Sequence, residues 1–150
     1  MKILYKKLDP KARVPSYSTQ GAAGADIYAL LTEPLTVRPH CTVTVKSGVA
    51  VQIPEGYVGL IFARSGLASK RGLAPANKVG VIDCDYRGEL MVSLHNHGEA
   101  AVSIEPYERV AQLVIVPYMT CDFEETDALD DTHRGTGGFG STGRIREFPK

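Results

Sequence analysis

The sequence predicts an all-β domain, a sandwich or barrel with one short helix, followed by a glycine-rich tail. Three observations carry this. The apolar stretches are short and rich in β-branched residues, the composition of strands rather than helices. Glycine and proline, 15 and 9 of the 150 residues, are spread throughout the chain and punctuate those stretches. Only Ser65 to Lys70 has the look of a helix, about one and a half turns long. Many short strands with regular turns between them make a sandwich or a barrel, and 150 residues suit one domain with a real core.

Strands are expected at Ile3 to Lys7, Asp26 to Leu31, Thr42 to Ile53, Tyr57 to Phe62, Val79 to Ile82, Leu90 to Asn96, Ala101 to Ile104 and Val110 to Val116. In Thr42-Val43-Thr44-Val45-Lys46 the period is two, so one face is wet. Val110 to Val116 is nearly all apolar, which predicts burial on both faces. Ser65 is the expected cap of the helix. The composition shifts after Tyr118, where Asp122 to Asp131 carries six acids and few apolar residues. Such a segment cannot bury enough surface to fold by itself. The expected organisation is a β domain over residues 1–120 and an arm over 121–150, mobile in the free protein.

Lysine plus arginine equals aspartate plus glutamate, 17 each, so the formal net charge is zero. That gives no reason to expect a nucleic-acid or membrane partner, yet it allows a locally basic pocket for one anion. The three cysteines, Cys41, Cys84 and Cys121, are far apart and form no CxxC pair, which suggests neither a disulfide framework nor a zinc knuckle and points to a reducing, intracellular compartment. No apolar window reaches transmembrane length.

The chemistry concentrates in Gly80 to Leu90, Gly-Val-Ile-Asp-Cys-Asp-Tyr-Arg-Gly-Glu-Leu. Asp83 and Asp85 lie two apart, and in extended chain such side chains share a face. Apolar runs enter and leave, with turn formers at Asn77-Lys78 and Arg87-Gly88. This reads as a hairpin-like element with acids at its bend. A carboxylate there can orient a water or a metal, although an ordinary acidic turn has the same spacing. Ala63-Arg64-Ser65-Gly66-Leu67-Ala68 sets an arginine and a serine where a strand meets the short helix, either an anion site or a capped helix with a surface arginine. Gln112 interrupts an apolar run and must find a partner, a phosphate oxygen or backbone. His95 and His97 have no third zinc ligand at sensible spacing; packing at a subunit contact is the expectation. In the tail, Arg134-Gly135-Thr136-Gly137-Gly138-Phe139-Gly140-Ser141-Thr142-Gly143 combines exposed backbone N–H groups, which can cradle phosphate, with one aromatic that can stack on a base. A plain flexible linker would also be glycine-rich.

Five segments together resemble the trimeric dUTPase family. Ala23-Gly24-Ala25-Asp26-Ile27-Tyr28-Ala29 is similar to its first motif and Ala63 to Ala68 to its second. Gly80 to Leu90 is a near-complete third motif. Arg109-Val110-Ala111-Gln112-Leu113 is similar to the fourth and Arg134 to Gly143 to the fifth. The order is that of the family, and the motifs span most of the chain. Ala63 departs from a position that is often proline or glycine, and His95 from one that is often aromatic.

The resemblance implies a jelly-roll β fold, a homotrimer with three shared active sites, and hydrolysis of dUTP to dUMP and pyrophosphate with Mg²⁺. It implies that motifs one, two and four come from one chain or its close neighbour, motif three from another and the tail from a third. Asp83 would take the proton of the attacking water, and Asp26 would hold waters on the magnesium. Arg64, Ser65, Gly66 and Gln112 would position the triphosphate. Asn77, Gly80 and the backbone to Asp85 would read the uracil edge, with Tyr86 under the deoxyribose. Phe139 would cap the base, while Arg134, Gly140, Ser141 and Thr142 close over the phosphates. The rival reactions are a dCTP deaminase, which shares the fold, and a non-catalytic trimeric binding protein; the complete third motif and the glycine tail argue against both. The implied location is the cytoplasm, or the nucleus in a eukaryotic or viral setting.

Overall fold

In chain order the elements are β1 (Leu4–Lys7), β2 (Ala25–Tyr28), β3 (Leu35–Val37), β4 (Thr42–Gln52), β5 (Tyr57–Phe62), α1 (Ser65–Arg71), β6 (Leu73–Pro75), β7 (Gly80–Ile82), β8 (Glu89–Asn96), β9 (Val102–Ile104) and β10 (Arg109–Pro117). They come from a computed structural model that describes residues 1–138. Every strand pairing is antiparallel. One sheet has the order β1-β4-β8-β6, a second β2-β10-β5-β7, and β3 pairs with β9 in a third. All of these strands belong to a compact unit, Met1–Met119; Thr120–Lys150 forms a unit of its own. The described part of that second unit holds turns only, Gly135 N donating to Thr132 O at 3.0 Å and Gly137 N to Arg134 O at 3.0 Å.

Alternation builds the two large sheets. On β4, Val45, Val49 and Val51 point inward, while Thr42, Thr44 and Lys46 are exposed. Leu90, Val92 and Leu94 of β8 join them, with Ile27, Ile61, Val110 and Leu113 from the second sheet. Each such aliphatic side chain contributes about 1.5–3 kcal/mol through burial. A bulge between Lys46 and Ala50 interrupts β4: β8 pairs with Thr42–Lys46 before it and with Ala50 beyond it, while β1 pairs with Val49–Gln52. Gly48 sits in that bulge at φ 70°, and a Cβ there would lie 2.6 Å from the Leu30 side chain and 2.8 Å from Ala12.

Three sequence expectations are corrected. The strands flanking Asp83 form no hairpin: β7 pairs with β5, whereas β8 pairs with β4 and β6. The stretch between them is a crossover from one sheet to the other. Strand β10 is not buried on both faces: Val110, Ala111 and Leu113 are buried, but Gln112, Val114 and Val116 are half-buried on the outer face. The helix is capped by Arg64, not Ser65, with extended backbone at φ −83° and ψ 127° and no side-chain cap bond. Strands β3 and β6, three residues each, add to the expected strands.

The inner face of β8 ends on a polar residue, Asn96, with no exposed surface. Its Nδ2 donates to Val37 O at 3.0 Å and Ala100 O at 2.8 Å, and its Oδ1 accepts from Gly98 N at 2.9 Å. One amide thus ties β3 to the turn between β8 and β9. Close by, the His95 and His97 rings meet edge-on with centroids 4.5 Å apart, and His95 Nδ1 lies 2.9 Å from the Thr42 hydroxyl. Asn96→Ala should orphan two carbonyls and an N–H, costing about 2–4 kcal/mol. Urea denaturation measures this; a change below about 1 kcal/mol would mean that water replaces the amide.

Candidate active site

Asp26 is the only buried side chain carrying a formal charge among the described residues, with 1% of its surface exposed. Strand β2 delivers it between the two arginines of motifs two and four. Its Oδ1 accepts from Arg64 Nε at 2.9 Å and from Gln112 Nε2 at 3.4 Å. Its Oδ2 accepts from the Ser18 hydroxyl at 2.6 Å and from Arg109 Nη1 at 3.0 Å. Arg109 Nη1 also donates to the Ser18 hydroxyl at 2.9 Å, and Arg64 Nη1 to Arg109 O at 3.3 Å. Burial pushes the Asp26 carboxyl up, but Ser18, Arg109 and Arg64 outweigh it and hold the group below its ordinary value. Two guanidinium groups share one carboxylate, so one positive charge is left over.

That surplus borders a cavity of about 230 Å³ lined by Arg64, Ser65, Gly66, Leu67, Arg71, Glu108 and Gln112. The wall is mostly polar and suits an anion rather than an apolar ligand. A Cβ built on Gly66 meets nothing within 4 Å. Packing within the chain therefore does not demand glycine here; its bare backbone keeps the cavity open. The structure brings together Asp26, Arg64, Ser65, Gly66 and Gln112. It adds four residues given no role in the sequence reading: Ser18, Arg71, Glu108 and Arg109. Arg109 lies in a quoted motif, whereas Ser18 sits in a loop that has no periodic signal.

A second cluster surrounds the crossover. Tyr86 N donates to Asp83 O at 3.2 Å, closing a tight turn around Cys84 and Asp85. The two acids are thus corners of a turn, and both are exposed. Arg87 Nη1 clamps the turn by donating to Cys84 O at 2.6 Å and Tyr86 O at 2.9 Å. Tyr86 folds back over Gly88, its hydroxyl donating to Glu89 O at 3.0 Å. A Cβ on Gly88 would lie 2.3 Å from that hydroxyl, so only glycine leaves Tyr86 its place. A Cβ on Gly80 would likewise crowd Asn77 Nδ2 at 3.2 Å and Ile61 at 3.3 Å. None of Asn77, Gly80, Asp83 or Tyr86 lines the arginine cavity. Arg134 belongs to the second unit, where its Nε donates to Gly137 O at 2.7 Å. Phe139, Gly140, Ser141 and Thr142 lie outside the described residues.

Comparison with known proteins assigns the chain to one family. A sequence model of dUTPase matches residues 10–143. The chain belongs to the dUTPase family. It is 48% identical over 144 residues to a deoxyuridine 5'-triphosphate nucleotidohydrolase of Desulfitobacterium hafniense, covering 95% of each chain. It is 46% identical over 149 residues to the enzyme of that name from Acinetobacter baumannii, covering 96% of this chain and 99% of the relative. A dUTPase variant of Staphylococcus bacteriophage 80alpha, solved with dUpNHpp, superimposes with a TM-score of 0.86 at 32% identity, covering 95% and 99% of the two chains. Its likeness makes the sandwich a dUTPase jelly roll. The dUTPase of phage phi11 of S. aureus, 28% identical with a TM-score of 0.78 over 87% of this chain and all of that one, was solved as a variant that reveals the coordination of a structural Mg(II) ion.

Asp26 is the residue expected to hold waters on magnesium, and within the chain its oxygens face Ser18, Arg64, Arg109 and Gln112. A carboxylate offers about four acceptor positions, and four donors of this chain already face it. Among the described residues no group of three or more His, Cys, Asp or Glu is placed to hold a metal. Among the described residues the carboxylates of one chain do not by themselves form a magnesium site, and Asp26 sets the positions of Arg64 and Arg109.

A carboxyl whose folded pKa lies below its unfolded value, 3.8 here, stabilises the fold above that value and ceases to as pH falls through the folded one. The urea midpoint should therefore hold from neutral pH to about 4 and decline below it. Asp26→Asn should cost up to about 3 kcal/mol at neutral pH, less than for a fully buried pair because Arg109 is half wet. It should also flatten the acid limb. An unchanged acid limb would show that other carboxyls govern it.

Proposed function

We propose that the chain hydrolyses dUTP to dUMP and pyrophosphate as a homotrimer with shared sites, removing a precursor of uracil in DNA and supplying dUMP for dTMP synthesis inside the cell. The observation that carries this reading is the arginine cavity with one unbalanced positive charge, in a chain of this family. A triphosphate needs charge offset and fixed geometry above all. Arg64 and Ser65 offer donors to its oxygens, and Gln112 can turn its amide from the long 3.4 Å contact with Asp26 toward the ligand. Water attacks the α-phosphorus, the bond from that phosphorus to the bridging oxygen breaks, and pyrophosphate departs with the bond electrons. Asp83 accepts the proton of the attacking water. The backbone of the Asn77–Asp85 stretch reads the uracil edge, and Tyr86 packs under the deoxyribose, where a 2′-hydroxyl finds no room. Arg134, Phe139, Gly140, Ser141 and Thr142 of the tail close over the bound nucleotide and exclude water. Mg²⁺ accompanies the triphosphate and would offset part of its charge.

The trimer is supported by the outer face of the second sheet. Leu60, Phe62, Val81, Val114 and Val116 lie at cross-strand positions on that face, with Phe62 39% and Val81 57% exposed. A contiguous apolar face of this kind marks a contact with another chain. Gln112, paired with Phe62 across the strands, sits on the same face, so a partner covering it would reach the edge of the site. The complete third motif, with its acid and its tyrosine, favours this reaction over deamination of dCTP.

A panel of dUTP, dTTP, dCTP and UTP with Mg²⁺, assayed for pyrophosphate and ammonia, tests the reading. The chain should turn over dUTP at least about a hundredfold more efficiently than the others, because buried polar groups left unpaired discriminate strongly. Ammonia from dCTP would make it a deaminase, and comparable kcat/KM for UTP would remove Tyr86 from its role. Asp83→Asn should lower kcat by roughly a hundredfold or more while dUMP still binds.

A further inference from the structure

We propose that Arg71 and Glu108 are the positioning pair of the phosphate cavity, seating α1 against the start of β10 and cancelling a carboxylate that would otherwise face the triphosphate. The inference rests on the triphosphate reading above. Helix α1 has seven residues, and Leu67 is its one buried side chain. A helix of that length does not hold itself, so its pose depends on what grips its ends. Arg64 grips the first end, through Asp26 and Arg109 O. Arg71, in the last turn, grips the other: Nη1 donates to Glu108 Oε1 and Nη2 to Ser103 O. The two arginines thus anchor α1 to consecutive residues, Glu108 and Arg109, at the head of the strand that carries Gln112.

Glu108 is itself fixed. Its Oε2 accepts from Glu105 N at 2.9 Å, and its backbone carbonyl from Ala29 N at 2.8 Å. Its side chain is 21% exposed and lines the cavity with Arg64, Ser65 and Gln112. A carboxylate there has no place in an anion site unless paired, and Arg71 is its partner. Removing Arg71 therefore loosens the helix and uncovers a negative charge on the cavity wall. Both effects strike a ligand with three phosphates harder than one with a single phosphate.

The experiment measures Kd for dUpNHpp and for dUMP on the full chain, with a denaturation midpoint for every variant. Arg71→Ala should weaken dUpNHpp about tenfold or more, the scale of a lost charged hydrogen bond, and dUMP by less than about threefold. Adding Glu108→Gln to Arg71→Ala should recover at least about threefold of the dUpNHpp loss, since the uncovered charge is gone. Arg71→Lys keeps the charge without the two-pronged grip; it should lie between wild type and Arg71→Ala, and alone decides the matter if the alanine variant does not fold. Unchanged dUpNHpp affinity overturns the proposal. So does an equal loss for both ligands with a lowered midpoint, the mark of a merely structural pair, and so does a double variant no better than the single. Wild type that binds neither nucleotide would bring down the triphosphate reading and the pair with it.

Discussion

One buried carboxylate organises the molecule. A charged group cut off from water must be paired, because its desolvation costs several kcal/mol otherwise. Asp26 satisfies this with donors from four places: the loop at Ser18, the entry to α1 at Arg64, and Arg109 and Gln112 on β10. Those segments are far apart in the chain, and the acid fixes their relative positions. It does so without neutralising them. Two guanidinium groups on one carboxylate hold the fold together and still present a positive face to the cavity, so a single arrangement supplies rigidity and anion affinity.

Local patterning read the sandwich well where the strands alternate. Tyr57–Phe62 emerges with the expected bounds, and Thr42–Gln52 within one residue at its end. It failed where the answer depended on which sheet a strand joins. Nothing in Val79–Ile82 and Leu90–Asn96 says that they part company, since both are apolar and a turn lies between. Only the pairing of Gly80–Ile82 with β5 separates them. The reading of β10 failed for a more informative reason. Its residues are apolar on both faces, as a doubly buried strand requires, yet Val114 and Val116 remain half-buried in a single chain. Apolar composition alone does not distinguish a strand covered within its own chain from one whose outer face is left open.

The site divides the same way. Arg64, Ser65 and Gln112 were legible because each stands out locally, a charge and a hydroxyl where a strand meets a helix and an amide in an apolar run; Gly66 came with the family resemblance. Ser18, Arg71 and Glu108 were not, because their meaning lies in partners 8, 37 and 37 residues away. Asp26 was found as the acid of the first motif, but its partners could not be read from there. A carboxylate facing solvent and one facing two arginines have the same neighbours in sequence. The difference is tertiary: here the group holds two cations in place.

The distribution of exposure bears on how the proposed chemistry could work. Arg64 and Gln112 are half-buried, whereas Asp83 and Tyr86 are exposed. An exposed carboxylate is a poor place from which to activate water, because bulk solvent screens it and competes for its lone pairs. The turn that carries it is nonetheless firmly built: Arg87 clamps two of its carbonyls, Gly88 leaves Tyr86 a place that a Cβ would take, and a Cβ on Gly80 would crowd Asn77. A well-defined turn bearing an uncovered acid is half of a site. The other half, the arginine cavity, has the charge but no base. The proposed trimer accounts for this division, because it would set the turn of one chain against the cavity of another. Rigidity within the chain and cover from outside it are then separate requirements, met by separate residues.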